Sequence, residues 1–296
     1  MGRVILLLVG ALLLPVAPAP AKGSAKPVVF IHGIDPLGTP GFDCDAWDRQ
    51  AARLRAMGFR GAFARVAYYY GDSDCGWQVD HHGSHDRHFG DGWGHSEDSH
   101  DADSRIEHLG YHFAWFLYSH FTNKGKQVDI VAHSMGGLIT RYALAQVARS
   151  HSAFPPNLDV QDVVTQGTPH KGSDQNWQES FCQFATECDQ MDPGSSFLRW
   201  MAVNAKNPQG RGGTQWTAMG STHDERVTAR STVGMGAAHK LIYRQPTIGH
   251  SDYRNSNSTA RIGVIDRKRR GGRWHRRRHV ALPATWTGQA LRSRRK

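Results

Sequence analysis

Read for its apolar spacing, the chain alternates between two periods. KPVVFIHG (Lys26 to Gly33) is a short, uniformly apolar run ending in glycine, and RVAYYYGD around Tyr69 is a second; runs of this kind predict buried strands. Between them, DAWDRQAARLRAMGF places Trp47, Ala51, Leu54 and Met57 on one face of a helix. SRIEHLGYHFAWFLYSHF resumes the helical period with Ser104 as a candidate cap, KQVDIVA (Lys126 to Ala132) is again a buried strand, and a third helix runs from Gly136 to about Arg149. Further strands are expected from Asp162, Gln215 and His239. Strands alternating with helices imply an α/β class fold, a mostly parallel central sheet with helices on both faces. In such sheets the reactive groups gather beyond the carboxyl ends of the strands.

Two stretches break the pattern. From Asp80 to Asp103, six of the 18 histidines stand among aspartates and glycines with too few apolar residues for an element of their own, so 80–103 reads as a long surface loop. The other is the C-terminus. Residues 267–296 hold 12 of the 36 lysines and arginines and no acidic residue, leaving 24 basic against 26 acidic residues elsewhere. The formal charge of +10 is therefore local, and 266–296 reads as a basic, disordered tail beyond a catalytic domain at 26–262. The tail suits contact with an anionic surface; its Arg and Trp residues also invite a nucleic-acid reading, but nothing in it specifies a nucleic acid.

The N-terminus carries Arg3, then VILLLVGALLL and the small-residue stretch PVAPAPAKG, the layout of a secretory signal peptide over residues 1–21 with cleavage near Ala19 or Ala21. An apolar run of about a dozen residues is short for a bilayer, which needs roughly 20. Export makes an even count of four cysteines a disulfide framework. Pairing of sequence neighbours closes the smaller loops and favours Cys44 with Cys75 and Cys182 with Cys188. No CxxC occurs, so a zinc ribbon or thioredoxin-like redox site has no support.

The chemistry centres on IVAHSMGGLITRYAL, where Ser134 stands between a strand and a helix. A serine on so sharp a turn is thrust clear of the sheet, provided the residues two before and two after are small; here they are Ala132 and Gly136. Its hydroxyl needs a histidine to take the proton and a carboxylate to orient that histidine. Among His151, His170, His223, His239, His250, His275 and His279, His250 follows the last expected strand at its carboxyl end. His275 and His279 stand among arginines, and His239 opens a strand at the wrong end of the sheet. For the acid, Asp224 follows the strand QWTAMGS; Glu225, Asp192 and Asp252 are its rivals. The oxyanion of a tetrahedral intermediate needs donors, expected from the backbone of Met135, directly after the serine, and of Ile34, after the first strand.

VVFIHGI, VAHSMGG, GTPHKG, QMDPGSSFL, WTAMGSTHDERV and IGHSDY, in this order, resemble secreted α/β-hydrolases of the bacterial lipase and esterase class, particularly small class 2-like lipases whose first main strand ends in HG. The resemblance covers Lys26 to Tyr253 and departs from the family at the 80–103 loop and the basic tail. It implies the α/β-hydrolase fold, with Ser134, Asp224 and His250 at the triad positions and Ile34 and Met135 at the oxyanion hole. The expected protein is a secreted, extracellular, monomeric serine hydrolase of ester or lipid substrates. No cofactor is required; histidines and carboxylates as dense as those of 80–103 could bind zinc, nickel or calcium, but no spacing there puts ligands on a regular element, so a solvated loop is the expectation and no metal ligand set is assigned. Acyl transfer on the same fold and a non-catalytic surface protein are the alternatives. The segment from Gly172 to Gln215, with NWQESFCQFA and SSFLRWMAV, supplies either a pocket rim or a small lid.

Overall fold

A computed structural model describes residues 24–34, 44–69, 72, 75–79, 100, 104–174, 185–245, 247–255, 263–269 and 272–292. The expected signal peptide, Cys182 and all of the 80–103 loop except His100 lie outside them.

Nine strands form one sheet: β1 Val28–Ile31, β2 Phe63–Ala67, β3 Trp77–Gln78, β4 Val128–His133, β5 Val160–Gln166, β6 Gln215–Ser221, β7 His239–Tyr243, β8 Gly263–Arg269 and β9 His275–Val280. Their order is β3-β2-β1-β4-β5-β6-β7-β8-β9. Pairing is parallel from β3 through β7 and antiparallel for β8 and β9. The chain leaves β1 toward one edge and returns on its other side as β4, so the connections diverge between those two strands. That divergence opens a crevice at their carboxyl ends.

The described helices are α1 Asp48–Ala56, α2 Ile106–His120, α3 Gly136–Ala148, α4 Thr186–Met191, α5 Ser196–Asn204, α6 Ala229–Thr232, α7 Asp252–Asn255 and α8 Pro283–Ala290. Successive strand residues feed opposite faces of the sheet. Val29, Ile31 and Ile130 pack with Leu109, Phe113, Leu138, Phe197 and Met201 on the side covered by α2, α3 and α5. Val28, Phe30 and Val131 pack with Trp47, Leu54, Tyr253 and Leu291 on the other. Both faces are thus apolar, which is why the central strands read as continuous rather than alternating runs. Ser104 does not cap α2; Arg105 occupies that position in extended conformation without a side-chain cap.

The C-terminal segment corrects an expectation. Up to Arg292 it is part of the fold: β8 pairs with β7, β9 pairs with β8, and α8 packs against α1. Arg267, Lys268 and the Arg276–Arg278 run obscure the strands because β9 is solvent-exposed from His275 to His279 and buries only Val280. Few apolar residues are needed at an edge strand, so composition suggested a tail. The SSFLRWMAV half of the possible lid is α5, whose Phe197, Leu198 and Met201 belong to the core.

Cys44 is disulfide-bonded to Cys75, tying the start of the α1 region to β3. Cys188 is also disulfide-bonded, while its expected partner Cys182 falls outside the described residues. Among the described residues no helix is long and apolar enough to cross a membrane.

Candidate active site

Ser134 follows β4 with φ of 52°, a left-handed conformation costing a non-glycine residue roughly 1–2 kcal/mol. The turn survives because its neighbours leave room. A Cβ on Gly136 would lie 2.2 Å from the His32 carbonyl oxygen, so α3 can start this close to β1 only with glycine there. The amide of Met135, the residue preceding α3, lies where helix N–H groups lack intrahelical acceptors and the helix dipole favours negative charge. Across the crevice, Gly33 and Ile34 follow β1 and share a narrow cleft with Ser134, His133, His250, Arg226 and Arg254.

The Ser134 Oγ is 3.0 Å from His250 Nε2. On the other side of that ring, Nδ1 is 2.9 and 3.0 Å from the two carboxylate oxygens of Asp224. Asp224 is itself held: its Oδ1 accepts the backbone N–H groups of Arg226 (3.0 Å) and Val227 (2.9 Å), and its Oδ2 accepts the Tyr253 hydroxyl (3.1 Å). Both side chains are almost fully buried. A carboxylate with four donors fixes the imidazole so that Nδ1 carries the proton and Nε2 faces the serine.

The rivals have other employment. Glu225 accepts the His250 backbone N–H (3.0 Å), and Asp252 accepts that of Gly249 (2.8 Å), so both shape the loop that presents the histidine. Asp192 ends α4 as its C-cap. His170 is buried against Thr165 (3.2 Å), and His151, His223, His275 and His279 are exposed. His239 opens β7, at the opposite end of its strand from the crevice.

Several contributors escaped sequence reasoning. His133, directly before the serine, donates Nε2–H to the His250 carbonyl (2.8 Å). Burial, reinforced by the Arg254 and His250 charges, holds its pKa well below the ordinary histidine value, so it stays neutral. Tyr253 lies three residues after His250 in the motif that revealed the histidine, but only tertiary structure turns its hydroxyl toward Asp224. Behind the Gly33 loop, the Tyr68 hydroxyl donates to the Gly33 carbonyl (2.6 Å), its ring stacks on His32 at 4.2 Å, and Asp72 meets His32 Nε2 at 3.0 Å.

Residues 111–201 match the family model described as a PGAP1-like alpha/beta domain, less than half of the chain. That stretch carries the strand, turn and helix around Ser134, within a sheet that is parallel from β3 to β7. The chain has the α/β-hydrolase fold. Comparison with curated proteins gives no significant match. Among solved structures, the hydrolase fold here is similar to Bacillus licheniformis lipase BlEst2 in its mature form (19% identity, 73% of this chain and 82% of that one, TM-score 0.46). It is also similar to Legionella pneumophila phospholipase PlaB (12%, 91% and 60%, TM-score 0.48) and Aspergillus fumigatus lipase B (13%, 73% and 42%, TM-score 0.44).

Proposed function

We propose that the chain is a secreted serine hydrolase of carboxylic esters, of lipase or esterase type. The observation that carries this is the continuous hydrogen-bonded chain from Ser134 Oγ through His250 to Asp224, starting on a strained turn beside a helix N-terminus. Ser134 Oγ attacks the ester carbonyl as His250 Nε2 takes its proton, and Asp224 stabilises the resulting imidazolium. The N–H groups of Met135 and Ile34 receive the oxyanion. Collapse expels the alcohol with the proton from His250, leaving an acyl group on Ser134. Water, deprotonated by His250, then attacks that acyl group, and the acid departs as the serine regains its proton.

The test uses p-nitrophenyl esters of graded acyl length with the protein beginning after Ala21. Wild-type turnover is expected to fall by roughly 10⁴-fold or more in Ser134→Ala and in His250→Ala, with circular dichroism unchanged. A folded wild type inert at every chain length overturns the reading. The rate profile against chain length separates lipase from esterase, and amino-terminal sequencing of exported protein locates the cleavage site.

A further inference from the structure

Three imidazoles outside this chemistry converge on one point. His108 and His112 stand one turn apart on α2, and His100 comes from the segment ahead of it. The ring centroids are 4.5 Å apart for His108 and His112, 4.8 Å for His100 and His108, and 4.9 Å for His100 and His112. One nitrogen from each ring lies within 4.8 Å of those of the other two. His100 and His112 are buried and His108 is half-buried.

We propose that His100, His108 and His112 form a binding site for a divalent transition metal, best matched by Zn²⁺, that ties His100, held against the Tyr68 carbonyl just after β2, to α2. Orientation supports it. His100 Nδ1 is 3.0 Å from the Tyr68 carbonyl, and only a donor suits that acceptor, so Nδ1 carries the proton and Nε2 presents its lone pair. A ligating histidine is ordinarily fixed in this way, its second ring nitrogen donating to a carbonyl or carboxylate. Histidines four apart on a helix face the same side, which supplies two ligands without backbone rearrangement. Tetrahedral zinc with bonds of roughly 2.0–2.1 Å brings nitrogens to about 3.3 Å of one another. Small side-chain rotations of His108 and His112 provide that closure. Three imidazoles, with no carboxylate joining them among the described residues, select zinc and its neighbours over Mg²⁺ or Ca²⁺.

The location gives the site a consequence. Tyr68, whose carbonyl holds His100, also holds the Gly33 carbonyl through its hydroxyl and stacks on His32. A metal here would fix Tyr68 and stiffen the loop expected to bind the oxyanion, without touching Ser134.

The experiment strips the full chain with dipicolinate, then titrates Zn²⁺ against a chromophoric chelator and Co²⁺ by absorption. The parallel variants are His108→Gln with His112→Gln, His108→Ala alone, and a control replacing His81, His82, His85, His88 and His95 by Gln. Wild type and control are expected to bind one equivalent at micromolar affinity or tighter, to give an intense tetrahedral Co²⁺ band, and to gain several degrees in Tm with saturating Zn²⁺. The double variant should lose at least 100-fold in affinity and the Tm gain. Should it fail to fold, His108→Ala, altering a half-buried ring, carries the test with a loss of at least 10-fold. Stoichiometric binding kept by the His108 variants, binding lost in the control, or no wild-type binding tighter than millimolar each overturns the proposal.

Discussion

A methyl group on Gly33 would sit 2.5 Å from the Ser134 Cβ and 3.0 Å from its Oγ; side-chain rotation leaves Cβ in place, so the backbone of one of the two turns must move and carry the hydroxyl away from His250. Gly33→Ala is therefore expected to lower kcat about 100-fold, the usual consequence of a displacement near 1 Å at the reacting atoms. Thermal stability should also fall, by about 1–3 kcal/mol, the cost of forcing a methyl group into a packed site. Steady-state kinetics with a melting curve on the same sample checks both. At this scale the sequence was informative about identities and silent about supports. Chain order and position after strands singled out Ser134, Asp224 and His250, which meet within 3.0 Å. The roles of Tyr253, Glu225 and His133 depend on where side chains and carbonyls point, which apolar spacing does not encode. The His108 and His112 spacing was visible, but the helical period of α2 absorbed it, and His100 joins the pair only through folding.

Arg141 shows what an element's apolar pattern conceals. It lies in α3 and is 2% exposed, donating Nε–H to the Ala205 carbonyl (2.6 Å) and Nη2–H to that of Met201 (3.0 Å). Those carbonyls belong to the end of α5, so one helix caps another. Burial lowers the guanidinium pKa to about 10, which leaves it charged at neutral pH. Arg141→Met removes charge-assisted bonds and strands the Ala205 carbonyl, while that of Met201 keeps the Ala205 N–H (3.0 Å); the expected loss is about 3 kcal/mol in urea unfolding, with the ester rate per folded molecule largely kept. The elements themselves followed from period where they bury a full face, as β4, β5 and α3 do. β3 has only two residues and β9 a single buried one, too little apolar content to register as a strand.

Across the whole molecule, acid should act through buried groups of opposing sense. His133 and His170 are both held well below the ordinary value of 6.5, chiefly by burial, so below that pH the unfolded chain binds protons the fold refuses. Asp129, desolvated although its Oδ1 is 2.5 Å from Lys26 Nζ, is pushed up from 3.8 to about 6 and takes its proton first in the folded state. Stability contributed by the histidines is present above pH 6.5 and lost as pH falls, whereas the penalty at Asp129 is present above about 6 and relieved toward 4. Among the described residues two such groups act against one, which leaves a net loss of stability as pH falls through 5. Urea unfolding between pH 4 and 7 should show that loss, steeper in Asp129→Asn and flatter in His133→Gln.

The sheet also ends differently at its two sides: β3 is too short to template a neighbour, while β9 carries Arg276, Arg277 and Arg278 in a row facing solvent. An open strand edge invites pairing with another chain, and like charges along it make that pairing repulsive. The protection at β9 is electrostatic, hence borrowed from the medium, since at 1 M salt the screening length shrinks to about 3 Å. Concentrated brine would leave the β9 edge exposed to self-association while the short β3 edge stays inert.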